Sequence, residues 1–176
     1  MNDGTLERDG TLERREGRHL IRFERRLPHP LERVWRALTE PDEIAAWLAV
    51  AELELEEGGR VVLSWQNTDE EGNTAVARGT VSALDPPRLI EFDTDIHGRL
   101  RWELAPDGDA TLLTFRAEVD LPEEYETEVM AGWHIHLDHL EDVLAGGTID
   151  WPNWDREHRP AWERIQGRYE AASAQR

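Results

Sequence analysis

Six runs of alternating apolar and polar residues, separated by turn sequences, fill the stretch from Ala51 to Val119, and one long helical pattern follows them. That order constrains the fold more than any other feature. Runs joined by short turns pair antiparallel, and a sheet built this way needs a partner for its apolar face. "AELELEE" turns through Gly58-Gly59 into "RVVLSWQ", where Val61, Leu63 and Trp65 share a face. "NTAVARGTVSAL" ends at the turn Asp85-Pro86-Pro87. "RLIEFDT" and "RLRWEL" come next, the latter aligning Leu100, Trp102 and Leu104. "PDGD" then turns into "ATLLTFRAEV", with Leu113, Phe115, Ala117 and Val119 on one side. An earlier run, "HLIRFERRL", places Ile21, Phe23, Arg25 and Leu27 together. The expected sheet has about six or seven strands.

Between the first run and the rest lie two short helical patterns. "PLERVWRALTE" carries Leu31, Val34, Trp35 and Leu38, with Pro30 suited to a helix start. "TEPDEIAAWL" carries Ile44, Trp47 and Leu48. The long helix is expected from about Glu124 to Ala145, stopped by Gly146-Gly147. The remainder divides into an arm over residues 1–17 and an extension over 148–176. The arm repeats "DGTLER" at Asp3–Arg8 and Asp9–Arg14, lacks apolar periodicity, and is expected to be mobile and dispensable for folding. The extension has Trp162, Ile165 and Tyr169 at helical spacing, which predicts a short helix, and Trp151 and Trp154 as a lid over a cavity mouth.

Composition removes several function classes. The chain has 38 acidic residues against 20 basic ones, a formal net charge of −18, and every basic residue is Arg. Such a charge repels phosphate backbones and anionic bilayers, so neither nucleic acid nor membrane is an expected partner. Without Cys there is no disulfide, thiolate nucleophile or cysteine-ligated zinc. No segment approaches the length of an apolar membrane span, and no secretory leader pattern opens the sequence, so a cytoplasmic protein is expected. Phosphate-binding loops, dinucleotide fingerprints, nucleophile elbows and zinc-protease motifs are missing too.

The order of elements resembles the helix-grip, START-like α+β fold, in which a curved antiparallel sheet wraps a long C-terminal helix. "RRLPHPLERVWRALTEPDEIAAWL" is similar to the opening signature of the activator of heat-shock protein 90 ATPase homologue family, within the SRPBCC superfamily. Gly58-Gly59, "GTVSALDPPRLIEF" and "GWHIHLDHLEDVLAG" match that family's later landmarks in order, so the likeness covers residues 18–147. The resemblance implies a deep apolar cavity between sheet and helix. It implies no single activity, because the superfamily includes carriers, receptors and cyclases.

The histidine-rich helix invites a metal reading, which helical geometry rejects. At 100° per residue Met130, Trp133, Leu137, Leu140 and Leu144 form one stripe facing the sheet. His134 flanks that stripe, His136 lies on its opposite side, and His139 points away toward water, so the three cannot converge on one ion. No metal or other cofactor is expected. His134 shares its flank with Asp138 and Glu141, which reads either as a rim salt bridge or as a dyad facing the cavity. Near a cavity mouth its charge would change around its ordinary value of about 6.5. Arg25 is either a structural ion pair or the anchor for an anionic ligand group. Trp65, Trp102, Phe115, Trp133 and Leu137 are the expected apolar lining, unless they simply fill the core. The expected function is binding of a small, largely apolar molecule, with no identifiable catalytic residue. The alternatives are a cyclase or hydratase-like enzyme using His134, and a cochaperone-like module with a protein partner.

Overall fold

The computed structural model describes residues 7–69 and 71–175. Its strands are β1 (Thr11–Arg15), β2 (Arg18–Leu27), β3 (Ala49–Leu53), β4 (Arg60–Trp65), β5 (Val76–Asp85), β6 (Leu89–Thr94), β7 (Gly98–Asp107) and β8 (Ala110–Val119). The helices are α1 (Leu31–Thr39), α2 (Pro41–Trp47), α3 (Glu126–Leu144), α4 (Trp154–Glu157) and α5 (Arg159–Ser173). The strands form one antiparallel sheet in the order β1-β2-β8-β7-β6-β5-β4-β3. This is the helix-grip arrangement: a curved sheet, a long helix across its concave face, and two short helices after β2.

Alternation fixes which strand residues face inward. On β2 the buried residues are His19, Ile21, Phe23, Arg25 and Leu27; on β8 they include Leu113, Phe115, Ala117 and Val119. The register pairs Phe23 with Phe115 and Phe115 with Trp102, so large inward side chains sit side by side across three strands. The short helices are fixed by Trp47, whose indole donates to the Ala37 carbonyl at 2.8 Å.

The eighth strand corrects the expectation of a mobile arm. Thr11–Arg15 pairs with β2 across the tight turn Glu16-Gly17, both at positive φ (50° and 80°). Only short-range hairpin chemistry could have disclosed it, because β1 is too exposed to show apolar alternation. The first hexapeptide copy, apart from Glu7 and Arg8, lies outside the described residues. Gly10 is needed where the arm crosses β2, since a Cβ there would stand 2.5 Å from the Phe23 ring.

The extension is also more than a short helix. It folds back along α3, with Trp154, Ile165 and Tyr169 buried. Consequently α3 is covered on its outer side as well as its inner one. His134, His136 and His139 are 2%, 3% and 2% exposed, which overturns the expectation that His139 faces water. Helical geometry placed these side chains correctly around α3; the missing information was that α4 and α5 occupy the far side.

Candidate functional site

The expected lining residues separate into two groups. Trp133 lies at the centre of the first. Its ring stands 4.6 Å from Phe115, 6.3 Å from Trp65, 6.5 Å from Trp102 and 6.0 Å from His97, measured between centroids. Leu137, one turn along α3, is buried with them. These aromatics touch one another, so the space between helix and sheet at this level is occupied by side chains.

His134 and Arg25 form the second group, on the other side of Phe23. Arg25 donates from Nη1 to Asp138 at 2.7 Å and from Nη2 to the Arg8 carbonyl at 2.9 Å. Glu141 lies 3.4 Å from the same Nη1. The guanidinium is therefore engaged by α3 and the arm, as a structural ion pair requires. Arg8 adds bonds to both carboxylates, at 2.6 Å and 2.9 Å.

His134 is equally committed. Tyr169 accepts the Gly10 amide at 2.9 Å, and its hydroxyl lies 2.8 Å from His134 Nδ1. With the tyrosine proton given to Nδ1, the ring proton sits on Nε2, 3.6 Å from Asp138. Burial pushes His134 down to about 4, so it is neutral near pH 7 rather than titrating around 6.5. Burial likewise raises Tyr169 to about 12. A groove of about 840 Å³ runs beside this cluster, between β1 and α5. Its two buried or half-buried carboxylates are already partnered, Glu126 with Arg14 and His19, and Asp9 with Arg168.

A second groove, of about 620 Å³, has different chemistry. It opens between the β4–β5 connection and the extension, lined by Trp65, Asn67, His97, Trp154, Trp162 and Gln166 among others. Here Trp65 and His97 pack at 4.5 Å with their planes tilted by 50°, and Trp133 is edge-on to both. Asn67 Oδ1 and His97 Nε2 are buried without a protein partner, as are Trp102 Nε1 and His136 Nε2 further in. Buried polar atoms are almost always paired; of the unpartnered ones, only those of Asn67 and His97 belong to residues lining this groove, while His19 Nδ1 and Arg25 Nε lie on β2. Trp151 and Trp154 lie on the outer side of α3, next to His136 and His139, and Trp154 Nε1 donates to His139 Nε2 at 2.9 Å. Trp154 thus forms a fixed wall of the groove. Sequence reading missed Asn67 and His97, neither of which carries a periodic or motif signal, and it gave His136 and Tyr169 a place on their helices but no role at the site.

Burial holds four imidazoles neutral: His97, His134 and His136 at about 4, and His139 at about 3. The unfolded chain binds protons on them near 6.5, so between roughly 6.5 and 4 it holds more protons than the folded one. Stability should be complete above pH 7 and fall as the pH drops through that window. For His136 alone the loss is about 1.4 kcal/mol per pH unit. Thermal melts from pH 7.5 to 4.5 check this, and a flat profile would show that these histidines are solvated.

Fold and site together define an α+β helix-grip protein of the SRPBCC type. The chain belongs to the family described as Activator of Hsp90 ATPase homolog 1-like protein, whose model matches residues 28–145. No curated protein matches it. Among solved structures it is similar to CalU16 from Micromonospora echinospora, with 26% identity and a TM-score of 0.71, over 98% of this chain and 95% of that one. A protein encoded by BPP1335 of Bordetella parapertussis shares 27% identity at a TM-score of 0.67, over 97% and 94%. DynU16, a putative protein in the dynemicin biosynthetic locus, is 21% identical at a TM-score of 0.63, over 73% of this chain and 48% of its own, a likeness of fold. No helix among the described residues is long and apolar enough to cross a membrane.

Proposed function

We propose that this protein is a cytoplasmic binder of a small, flat, uncharged and largely apolar molecule, held in the groove walled by Trp65, His97 and Trp154. The observation that carries this reading is the pair of unpartnered buried atoms on the groove wall, Asn67 Oδ1 and His97 Nε2. An apolar aromatic wall with a few polar atoms awaiting partners is the usual make-up of a small-molecule site. The ligand is not an anion, because Asp69, Glu128 and Glu163 outnumber Arg159 along the groove and the whole chain carries −18. The enzyme alternative loses its candidate base, since both nitrogens of His134 face partners away from this groove. The protein-partner alternative finds little support: among the described residues the exposed large apolar side chains, Val50, Leu55, Ile96 and Tyr125, are dispersed over strand β3, two turns and the approach to α3.

A naphthalene-sized uncharged probe should bind saturably and quench tryptophan fluorescence. Replacing Trp65 with Ala should weaken it roughly tenfold, by removing one aromatic face. Absence of saturable binding to the wild-type protein would end this reading.

A further inference from the structure

The second copy of DGTLER, Asp9–Arg14, occupies a seat built by residues distant in sequence. Asp9 accepts from Arg168 at 2.8 Å, and the Gly10 amide donates to the Tyr169 hydroxyl at 2.9 Å. Gly10 crosses Phe23 so closely that a Cβ would stand 2.5 Å from its ring, and that ring is buried against Phe115 and His134. Leu12 packs on the edge of the core. Arg14 donates to both oxygens of Glu126, at 2.7 Å and 2.9 Å. Asp3, Gly4, Leu6 and Arg8 repeat the same four side chains at the same spacing. The copies are six residues apart, an even number, so a strand moved by one copy keeps every side chain on its own face. Thr5 would then oppose Arg22, Leu6 Ile21 and Arg8 His19. Asp9 would oppose Arg18, which now has the like charge of Arg15 directly across from it.

We propose that either copy of DGTLER fills this seat, so that β1 exchanges between two registers one hexapeptide apart. The register with Asp9–Arg14 seated predominates for two reasons. The shift takes Arg8 away from Asp138 and Glu141, and it lengthens the Glu16-Gly17 turn to residues 10–17. Loop closure grows harder only slowly, about threefold in population per doubling of length, so two doublings disfavour the shifted register about tenfold. The first copy is thus a built-in substitute. It takes the seat whenever the second cannot fit, and the free edge of β2 stays covered.

The chain has no Cys, so an introduced cysteine pair reports the register without background. Directly opposed residues of antiparallel strands lie about 4.5–5.5 Å apart, within disulfide reach. Thr11→Cys with Arg22→Cys traps the present register, and Thr5→Cys with Arg22→Cys traps the shifted one. Under mild oxidation the second pair should close within one molecule at about a tenth of the rate of the first. Adding Gly4→Val should abolish that closure and leave the Thr11 pair untouched. Adding Gly10→Val instead should reverse the preference. Melts without cysteines give an independent reading. Gly4→Val alone should leave the melting temperature unchanged, yet lower it when Gly10→Val is present, because neither copy then fits. A Thr5 pair that never closes, or that closes regardless of Gly4→Val as a loose tail would, overturns the proposal. So does a Gly4→Val effect on melting that is the same with and without Gly10→Val.

Discussion

Trp133→Ala is expected to destabilise the fold by about 3–5 kcal/mol, the range for emptying a buried aromatic position. The indole is only 6% exposed and touches Phe115, Trp65, Trp102 and His97, so its removal leaves a void bounded by four rings. Those neighbours stand on β4, β7, β8 and the β6–β7 turn, and the sheet's hydrogen bonds limit how far they can close the gap. The loss should therefore fall in the upper part of that range. Urea or thermal unfolding measures it, and a midpoint unchanged from wild type would contradict the central position of this ring. Trp65→Ala should cost far less, because Trp65 is only partly buried at the groove.

Removal of residues 1–15 is the second large effect. The strand β1 would be lost, together with the Arg8 bonds to Asp138 and Glu141 and the Arg14 bonds to Glu126. Gly10 would no longer cover the Phe23 ring or donate to Tyr169. Exposed ion pairs contribute only tenths of a kcal/mol each, so most of the cost comes from newly wetted apolar surface. Together these amount to roughly 3 kcal/mol. The more specific signature is His134. With the arm gone, water reaches the imidazole, and its titration should rise from about 4 toward its ordinary value of 6.5. Proton NMR of the histidine ring follows this directly. An unchanged His134 titration and an unchanged melt would mean that the arm contributes nothing to the fold.

The legible parts of this molecule were those where one element has one dry face. Strands β2, β7 and β8 alternate because mainly their concave side is buried, and α1 shows its spacing because one side alone is packed. The long helix was legible in extent but not in burial. His136 and His139 sit where a lone amphipathic helix meets water, and nothing within residues 126–144 states that Trp154 will cover them. Strand β1 failed for the opposite reason. Leu12 is its one half-buried residue, so there is no pattern to find, and its place is set by the Glu16-Gly17 turn and by ion pairs to distant helices. Arg25 was readable as a buried ion pair because alternation put a charge among apolar neighbours, which demands a carboxylate. The groove could not be read at all. Asn67 and His97 lie in connections, and their side chains matter through what they lack.

The bonds between the arm and α5 bear on how the molecule is made. Gly10 with Tyr169 and Asp9 with Arg168 each join residues 159 positions apart. Contacts so remote in sequence form late, because closing a loop of this length costs more chain entropy than any local contact. During synthesis the hairpin β1–β2 can form early, yet the surface it docks on is completed only when α5 has emerged. Residues 9 and 10 thus wait for residues 168 and 169, and a nascent chain halted before Tyr169 would carry its hairpin undocked.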